Sequence, residues 1–215
     1  MDGNGRWAKN RGLIRTKGHE RGAKTIRSIT KYCAEHETIE TVTLYAFSTE
    51  NWNRPKYEVN FLMRLLDSWL KQELKTYHKF GARFDTIGNI EGFSPKLQKT
   101  IAYVKAQTAH YKNVTQILAL NYGSREEIAK ASNRLAKRGV EITEESLGAE
   151  LNTPYGDIDL LVRTSGEQRL SNFLLWQSSY SEFFFTSTLW PDFTPEELDN
   201  IIYDFVERDR RFGKV

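Results

Sequence analysis

The feature that most constrains this chain is a repeated change of hydrophobic period along its length. Apolar, β-branched runs at residues 40–47, 82–87, 115–122 and 157–164 are each bounded by turn residues, with a shorter run at 183–185. Segments of helical period lie between them. Residues 57–80 set Val59, Leu62, Leu66, Trp69, Leu70 and Leu74 on one face. Ser94-Pro95 reads as an N-cap followed by proline at the first helical position. Ser124 with Glu127, and Thr194 with Glu197, have the spacing of capping boxes. The second would open a helix that turns Leu198, Ile201, Ile202 and Phe205 inward. Residues 138–156 read as a short helix between loops. Strands alternating with helices of this length predict an α/β fold, a single domain with a mainly parallel central sheet flanked by helices. A chain of 215 residues can fill one such core without disulfide or metal staples.

Composition excludes several classes. The only cysteine is Cys33, so neither an intrachain disulfide nor a cysteine-based zinc cluster can form. No run is long enough for a membrane span, and polar and basic residues follow Met1 in place of a signal-peptide core. A cytoplasmic protein is expected. There is no H-E-x-x-H, no P-loop, no G-x-S-x-G elbow and no D-D-x-x-D. The net charge of +3 is too small to indicate nucleic acid, but its distribution is uneven. Arg6, Lys9, Arg11, Arg15, Lys17, Arg21, Lys24 and Arg27 face only Asp2 and Glu20 in the first 27 positions. Arg163, Arg169, Arg208, Arg210 and Arg211 form a second basic group. Such concentration suits an anionic ligand, phosphate ester or polynucleotide.

In parallel α/β sheets ligands collect beyond the carboxyl ends of the strands. Polar clusters stand at such ends at 48–54, 121–125 and 163–172. The opening segment is a fourth candidate. Gly3 and Gly5 permit close backbone approach, and a helix beginning near Arg6 would offer free N–H groups to a phosphate. Arg6, Arg15 and His19 supply further donors. Asp2, alone among cations, fits a Mg²⁺ bridging it to diphosphate oxygens. The same residues also read as a plain glycine turn capping a helix. After the strand ending at Phe47, Ser48, Asn51 and Arg54 are candidates to reach a polar substrate, with Phe47 and Trp52 flanking its hydrocarbon part. An ordinary loop is the alternative. Arg163, Arg169 and Ser171 around a glycine turn suit diphosphate, because guanidinium pairs with phosphate in bidentate fashion. Glu182 would be a second carboxylate for Mg²⁺, or simply an ion-paired glutamate. His78 and His110 fall in helical surface patterns and read as structural.

Together these segments resemble the cis-prenyltransferase family, nearest to bacterial undecaprenyl diphosphate synthases. The resemblance rests on MDGNGRWA at 1–8, Arg15, Gly18-His19, TLYAFSTENWNRP at 43–55 and LNYGSREEI at 120–128. It continues through DLLVRTSGEQRLSNFLLWQSSYSEFFF at 159–185, LWPDF at 189–193 and RRFG at 210–213. It implies repeated condensation of isopentenyl diphosphate onto an allylic diphosphate such as farnesyl diphosphate. The new double bonds are cis, and the product is an undecaprenyl-type diphosphate, a precursor of the cell-wall lipid carrier. It further implies Mg²⁺, with Asp2 and Glu182 as carboxylates, and Asp2 and Asn51 as catalytic residues. Gly3, Asn4, Gly5, Arg6, Trp7, Arg15 and His19 would form the allylic site. Ser48, Glu50, Trp52 and Arg54 would organise the reacting groups, and Arg163, Arg169 and Ser171 would hold isopentenyl diphosphate. Arg211 and Gly213 match a C-terminal R-x-G that reaches a diphosphate across a homodimer. An apolar product tunnel is expected, with helix 57–80 and strand 115–122 as candidate walls. No nucleic-acid partner is implied, and peripheral membrane contact would serve product delivery.

Three departures stand out. Ser165 occupies a position where the family usually has glycine, and Gln168 one where some members carry histidine. The resemblance also implies a short apolar strand ahead of the aspartate, whereas the sequence given opens inside the motif. Two other classes remain to be weighed: a non-catalytic subunit of this fold, and a polyanion-binding domain using the basic N-terminal face.

Overall fold

A computed structural model describes residues 1–153 and 155–208. Its helices are α1 (Asn4–Lys9), α2 (Arg15–Glu35), α3 (Lys56–Phe80), α4 (Pro95–Thr108), α5 (Ser124–Lys137), α6 (Glu144–Glu150) and α7 (Pro195–Val206). Its strands are β1 (Thr41–Ser48), β2 (Ala82–Ile87), β3 (Val114–Tyr122), β4 (Leu160–Arg163) and β5 (Glu182–Phe185). Among the described residues no helix is long and apolar enough to cross a membrane.

Every strand pairing is parallel, as the alternating pattern predicts. β3 lies between β1 and β2, in register Thr41↔Thr115 and Ala82↔Val114. Covered on both faces, β3 buries Val114, Ile117, Leu118, Ala119, Leu120 and Tyr122 almost completely. The expected single sheet is divided, however. β4 and β5 form a separate two-stranded sheet, and the outer edge of β1 lines a cavity instead of pairing with β4.

α3 and α4 pack together over β2, where Leu70, Ile101 and Val104 are fully buried. Each such side chain contributes about 1.5–3 kcal/mol of hydrophobic stabilisation. α4 starts as its sequence predicts: Ser94 Oγ accepts the Leu97 N–H at 3.3 Å and Pro95 follows. α3 stops at Gly81, whose φ of 63° an L side chain resists. α1 crosses α2 so closely that a Cβ on Gly18 would lie 1.9 Å from the Asn4 carbonyl oxygen.

The expected capping boxes come out differently. α5 begins at Ser124, whose hydroxyl oxygen accepts the Leu175 N–H at 3.0 Å and caps no helix. Glu127 is buried and accepts from the Tyr122 hydroxyl (2.6 Å) and the Asn152 N–H (2.8 Å). A buried carboxylate must satisfy those groups, so it does not reach back to the helix start. At α7 half the box forms: Thr194 Oγ1 accepts the Glu197 N–H, while Glu197 takes the Thr186 hydroxyl.

Candidate active site

The opening segment is stapled to the end of β4. The Asp2 N–H donates to Thr164 Oγ1 and the Thr164 hydroxyl donates to the Asp2 carbonyl, both at 3.0 Å. The Trp190 backbone N–H donates a second bond to that carbonyl, at 2.9 Å. Gly3 at φ 101° then turns the chain into α1. Asp2 Oδ1 accepts the Gly3 N–H at 2.7 Å, and Oδ2 faces Arg163 Nη2 at 3.3 Å and Arg6 Nη2 at 3.6 Å. Burial pushes the Asp2 carboxyl pKa up, but the Gly3 N–H and the two arginines outweigh it and hold it below the usual value. Asp2 is therefore ionised at neutral pH. Arg6 also donates to the Ser165 carbonyl at 2.9 Å and pairs with Glu167 at 3.3 Å.

Arg163 organises the loop that follows. Its Nη1 donates to Ser171 Oγ at 2.8 Å and to the Arg169 carbonyl, while Arg169 pairs with Glu167 at 2.5 Å. Ser165, Ser171, Asn172 and Leu174 all hold positive φ here, between 45° and 82°. Non-glycine residues in this region cost on the order of 1–3 kcal/mol each, and such strain gathers at ligand-binding segments.

A second cluster forms around Glu58, on the first turn of α3 and only 3% exposed. Its Oε1 lies 3.0 Å from Arg15 Nε and 3.0 Å from Arg54 Nη1. His19 Nε2 approaches the same oxygen at 3.4 Å without closing a hydrogen bond. Burial lowers the His19 pKa from its ordinary value despite the adjacent carboxylate, so its imidazole is neutral at pH 7. Gly5 lets Arg15 lie across α1, since a Cβ there would stand 3.2 Å from Arg15 Nε. At the end of β1, Asn51 Oδ1 accepts the Ser48 N–H at 3.3 Å, and Glu50 Oε1 accepts from Asn172 Nδ2 at 3.1 Å. Burial alone would raise the Glu50 pKa, but its backbone N–H and the Asn172 amide bring it below the usual value.

Two cavities meet at Asp2. The larger, about 1330 Å³, has a polar end at Asp2, His19, Asn51, Arg54, Arg163 and Ser171. It runs on between Ile26, Leu62, Leu66, Trp69, Leu118 and Leu120. The smaller, about 420 Å³, is lined by Asp2, Gly3, Gly5, Arg6, Lys9 and Arg15. Cationic groups thus flank an anion-sized pocket and the head of an apolar chamber.

The sequence matches the profile of the prenyltransferase family described as "Putative undecaprenyl diphosphate synthase" over residues 1–213. The chain belongs to this cis-prenyltransferase family. An isoprenyl transferase of Wolinella succinogenes is 54% identical over 216 residues, covering all of this chain and 94% of the relative. A Salmonella paratyphi A relative is 44% identical over 99% of this chain and 87% of its own length. It is named ditrans,polycis-undecaprenyl-diphosphate synthase, (2E,6E)-farnesyl-diphosphate specific. Among solved structures, lavandulyl diphosphate synthase from Lavandula x intermedia, in complex with dimethylallyl diphosphate, superposes with a TM-score of 0.94. It is 34% identical, over 100% of this chain and 95% of that one. "A probable undecaprenyl diphosphate synthase" from Campylobacter jejuni gives 0.83 at 40% identity, over 91% and 93% of the two chains.

Not every residue singled out in this prenyltransferase sequence reaches the cavities. The Trp7 indole turns away: its N–H donates to Asp192 at 2.7 Å and its face carries the Arg11 guanidinium. Trp52 packs edge-on to Phe47 and donates to Asn121 Oδ1, bracing the loop from behind. Glu182 opens β5, opposite Leu160, whereas Arg163 ends β4. Three residues of strand separate the two levels, about 10 Å. Glu182 pairs instead with Arg208 at 2.5 Å, so within this chain Asp2 and Glu182 are not brought together as metal ligands. Arg211 and Gly213 lie outside the described residues. Glu58, Thr164 and Asn172 were not singled out for any role, though each ties candidate residues together. For Glu58 the signal was present, an Arg54–Glu58 spacing of i, i+4 on a helix start.

Proposed function

We propose that this chain is a prenyl-elongating enzyme that condenses isopentenyl diphosphate onto an allylic diphosphate, with farnesyl diphosphate as starter and an undecaprenyl-type diphosphate as product. The observation that carries the reading is one chamber with an apolar body and two cationic clusters at its polar end. That layout suits two diphosphate heads and one growing hydrocarbon tail.

In the reaction the allylic carbon–oxygen bond breaks and its electron pair leaves with diphosphate. The isopentenyl double bond supplies the pair for the new carbon–carbon bond. Loss of a proton from the resulting cation leaves the new cis double bond. The chain's work is to place and neutralise charge. Arg6 and Arg15, beside the glycine turn, would hold the departing diphosphate, with the Asp2 carboxylate at the junction of both cavities. Arg163, Arg169 and Ser171 would hold isopentenyl diphosphate, and Asn51 would orient the reacting groups above the chamber. Alignment of two bound substrates is worth about 7–11 kcal/mol when the geometry is good. Fixed donors aimed at the leaving group add stabilisation without reorganising.

A Mg²⁺ fits the donor set at Asp2 in one form only. Among the described residues no three acidic, histidine or cysteine side chains gather, so protein would offer the Asp2 carboxylate and substrate phosphates the rest. When bound, the ion supplies charge neutralisation on the diphosphate. The basic N-terminal face gives little support to a polyanion-binding domain. Arg11, Arg15, Lys17 and Arg27 are paired with Asp192, Glu58, Glu20 and Glu73 respectively.

Incubation with farnesyl diphosphate, labelled isopentenyl diphosphate and Mg²⁺, followed by sizing of the product, tests the reading. Chain extension dependent on both substrates is expected; its absence would overturn the proposal.

A further inference from the structure

Three segments that carry candidate substrate contacts converge on one side chain that none of the motif roles accounts for. Asn172 Oδ1 accepts the Arg125 N–H at 2.8 Å and its carbonyl accepts the Ser124 N–H at 2.9 Å, both at the start of α5. Its Nδ2 donates to Glu50 Oε1 at 3.1 Å, on the turn after β1. Its chain neighbour is Ser171, which accepts from Arg163. The amide orientation follows from chemistry: a backbone N–H requires the oxygen, and the carboxylate requires the nitrogen. The fit is close, since a Cβ on Gly123 would stand 2.7 Å from Asn172 Nδ2 and 2.8 Å from Thr49 Oγ1.

The backbone narrows the choice of residue further. At φ 64° the position favours glycine, asparagine or aspartate. Glycine would supply the conformation without the amide. Aspartate would keep the acceptor but set a second carboxylate against Glu50. Only asparagine meets all three requirements. We infer that Asn172 is a positioning residue: it clamps the Glu50 turn and the start of α5 to the Arg163–Ser171 loop. In doing so it fixes the isopentenyl diphosphate loop against the Glu50 turn, which lies among the residues assigned to organise the reacting groups. This rests on the function proposed above.

Asn172→Gly keeps the backbone conformation and removes both side-chain bonds. Loss of two such bonds to a preorganised loop raises the KM for isopentenyl diphosphate about ten-fold. The KM for farnesyl diphosphate stays within about two-fold, and kcat falls less than kcat/KM. Amide exchange at Ser124 and Arg125 speeds up, a readout independent of turnover. Asn172→Asp has the same kinetic defect at neutral pH. Adding Glu50→Gln to it restores a donor–acceptor pair with the two roles exchanged, and recovers isopentenyl diphosphate binding relative to the single variant.

Wild-type KM values in Asn172→Gly, an equal rise in both KM values, or failure of Glu50→Gln to rescue Asn172→Asp would each overturn the inference. A wild-type protein unable to extend farnesyl diphosphate would count against the proposed function alone. Exchange at Arg125 would then still decide the clamp, unchanged rates in Asn172→Gly refuting it.

Discussion

A Cβ placed on Gly3 would come within 2.2 Å of Ser165 Oγ, so these two residues restrict one another across the staple joining Asp2 to Thr164. Ser165 holds φ 82°, and its hydroxyl is buried without a partner. It is also the site where the sequence resemblance leads one to expect glycine. A left-handed conformation costs an L residue about 1–2 kcal/mol, and an unpaired buried hydroxyl adds to that. The greater freedom of an unfolded glycine offsets about 0.4–1 kcal/mol. Ser165→Gly is therefore expected to stabilise the fold by about 1 kcal/mol. Urea unfolding measures it, and a lower midpoint at unchanged slope would refute the argument.

Asp2 and Arg163 touch each other, yet different kinetic signatures are expected from them. Asp2 lies where both cavities meet, beside the proposed leaving group, so Asp2→Ala should lower kcat by about 10²-fold or more. Arg163 also holds Ser171 Oγ and the Arg169 carbonyl, so its loss releases the loop proposed to hold isopentenyl diphosphate. Arg163→Ala should chiefly raise the KM for isopentenyl diphosphate, with Ser171→Ala a milder version of the same defect. Steady-state kinetics with each substrate varied in turn distinguishes them. Matching profiles for Asp2→Ala and Arg163→Ala would contradict this division.

Local physics made much of the fold legible in advance. The run at 82–87 is β2 end to end: as an edge strand it buries Ala82, Phe84 and Ile87, while Arg83, Asp85 and Thr86 stay partly exposed. The helical face at 57–80 reappears in α3 within one residue. The misses concern contacts that periodicity cannot register. Trp7 answers to Asp192, 185 positions away. Glu127 has capping-box spacing but lies under Tyr122, where burial takes over its carboxylate. The level of Glu182 is set by its pairing with Leu160, and strand register across a crossover is written in no single segment. In the site, individual residues were legible from motif chemistry. Of the groups holding them, Glu58 shows only its neighbour Arg54 at i, i+4 in the sequence; its contacts with Arg15 and His19 emerge where α2 meets α3.

Glu58 is the test of that last point. Three cationic or titratable groups face one buried oxygen, so removing the carboxylate leaves them uncompensated. Breaking a fully buried pair costs about 3–5 kcal/mol, but Arg15 is more than half exposed and water screens part of the loss. Glu58→Ala is expected to destabilise by about 2 kcal/mol once that screening is allowed for. It should also raise the KM for the allylic substrate, because Arg15 loses its anchor. A variant with unchanged unfolding and unchanged allylic KM would show that the cluster fixes nothing.

The buried imidazole of His19 gives the site its own acid sensitivity. Burial depresses the His19 pKa in the folded protein below its value in the unfolded chain, near 6.5. The unfolded state therefore takes up the proton first as pH falls. Its contribution to stability is complete above about pH 6.5 and is lost as pH drops towards the folded value. The carboxylates with depressed pKa values, such as Asp2 and Asp67, lose theirs only in a lower, separate window. Unfolding free energy should thus fall between pH 7 and pH 5.5, before those carboxylates titrate. His19→Gln keeps a polar side chain of similar reach without the titration, and should flatten that part of the profile. Urea unfolding of both proteins at pH 7.5 and 5.5 decides the matter. Equal losses in the two would mean that His19 is already solvated and titrates as in the unfolded chain.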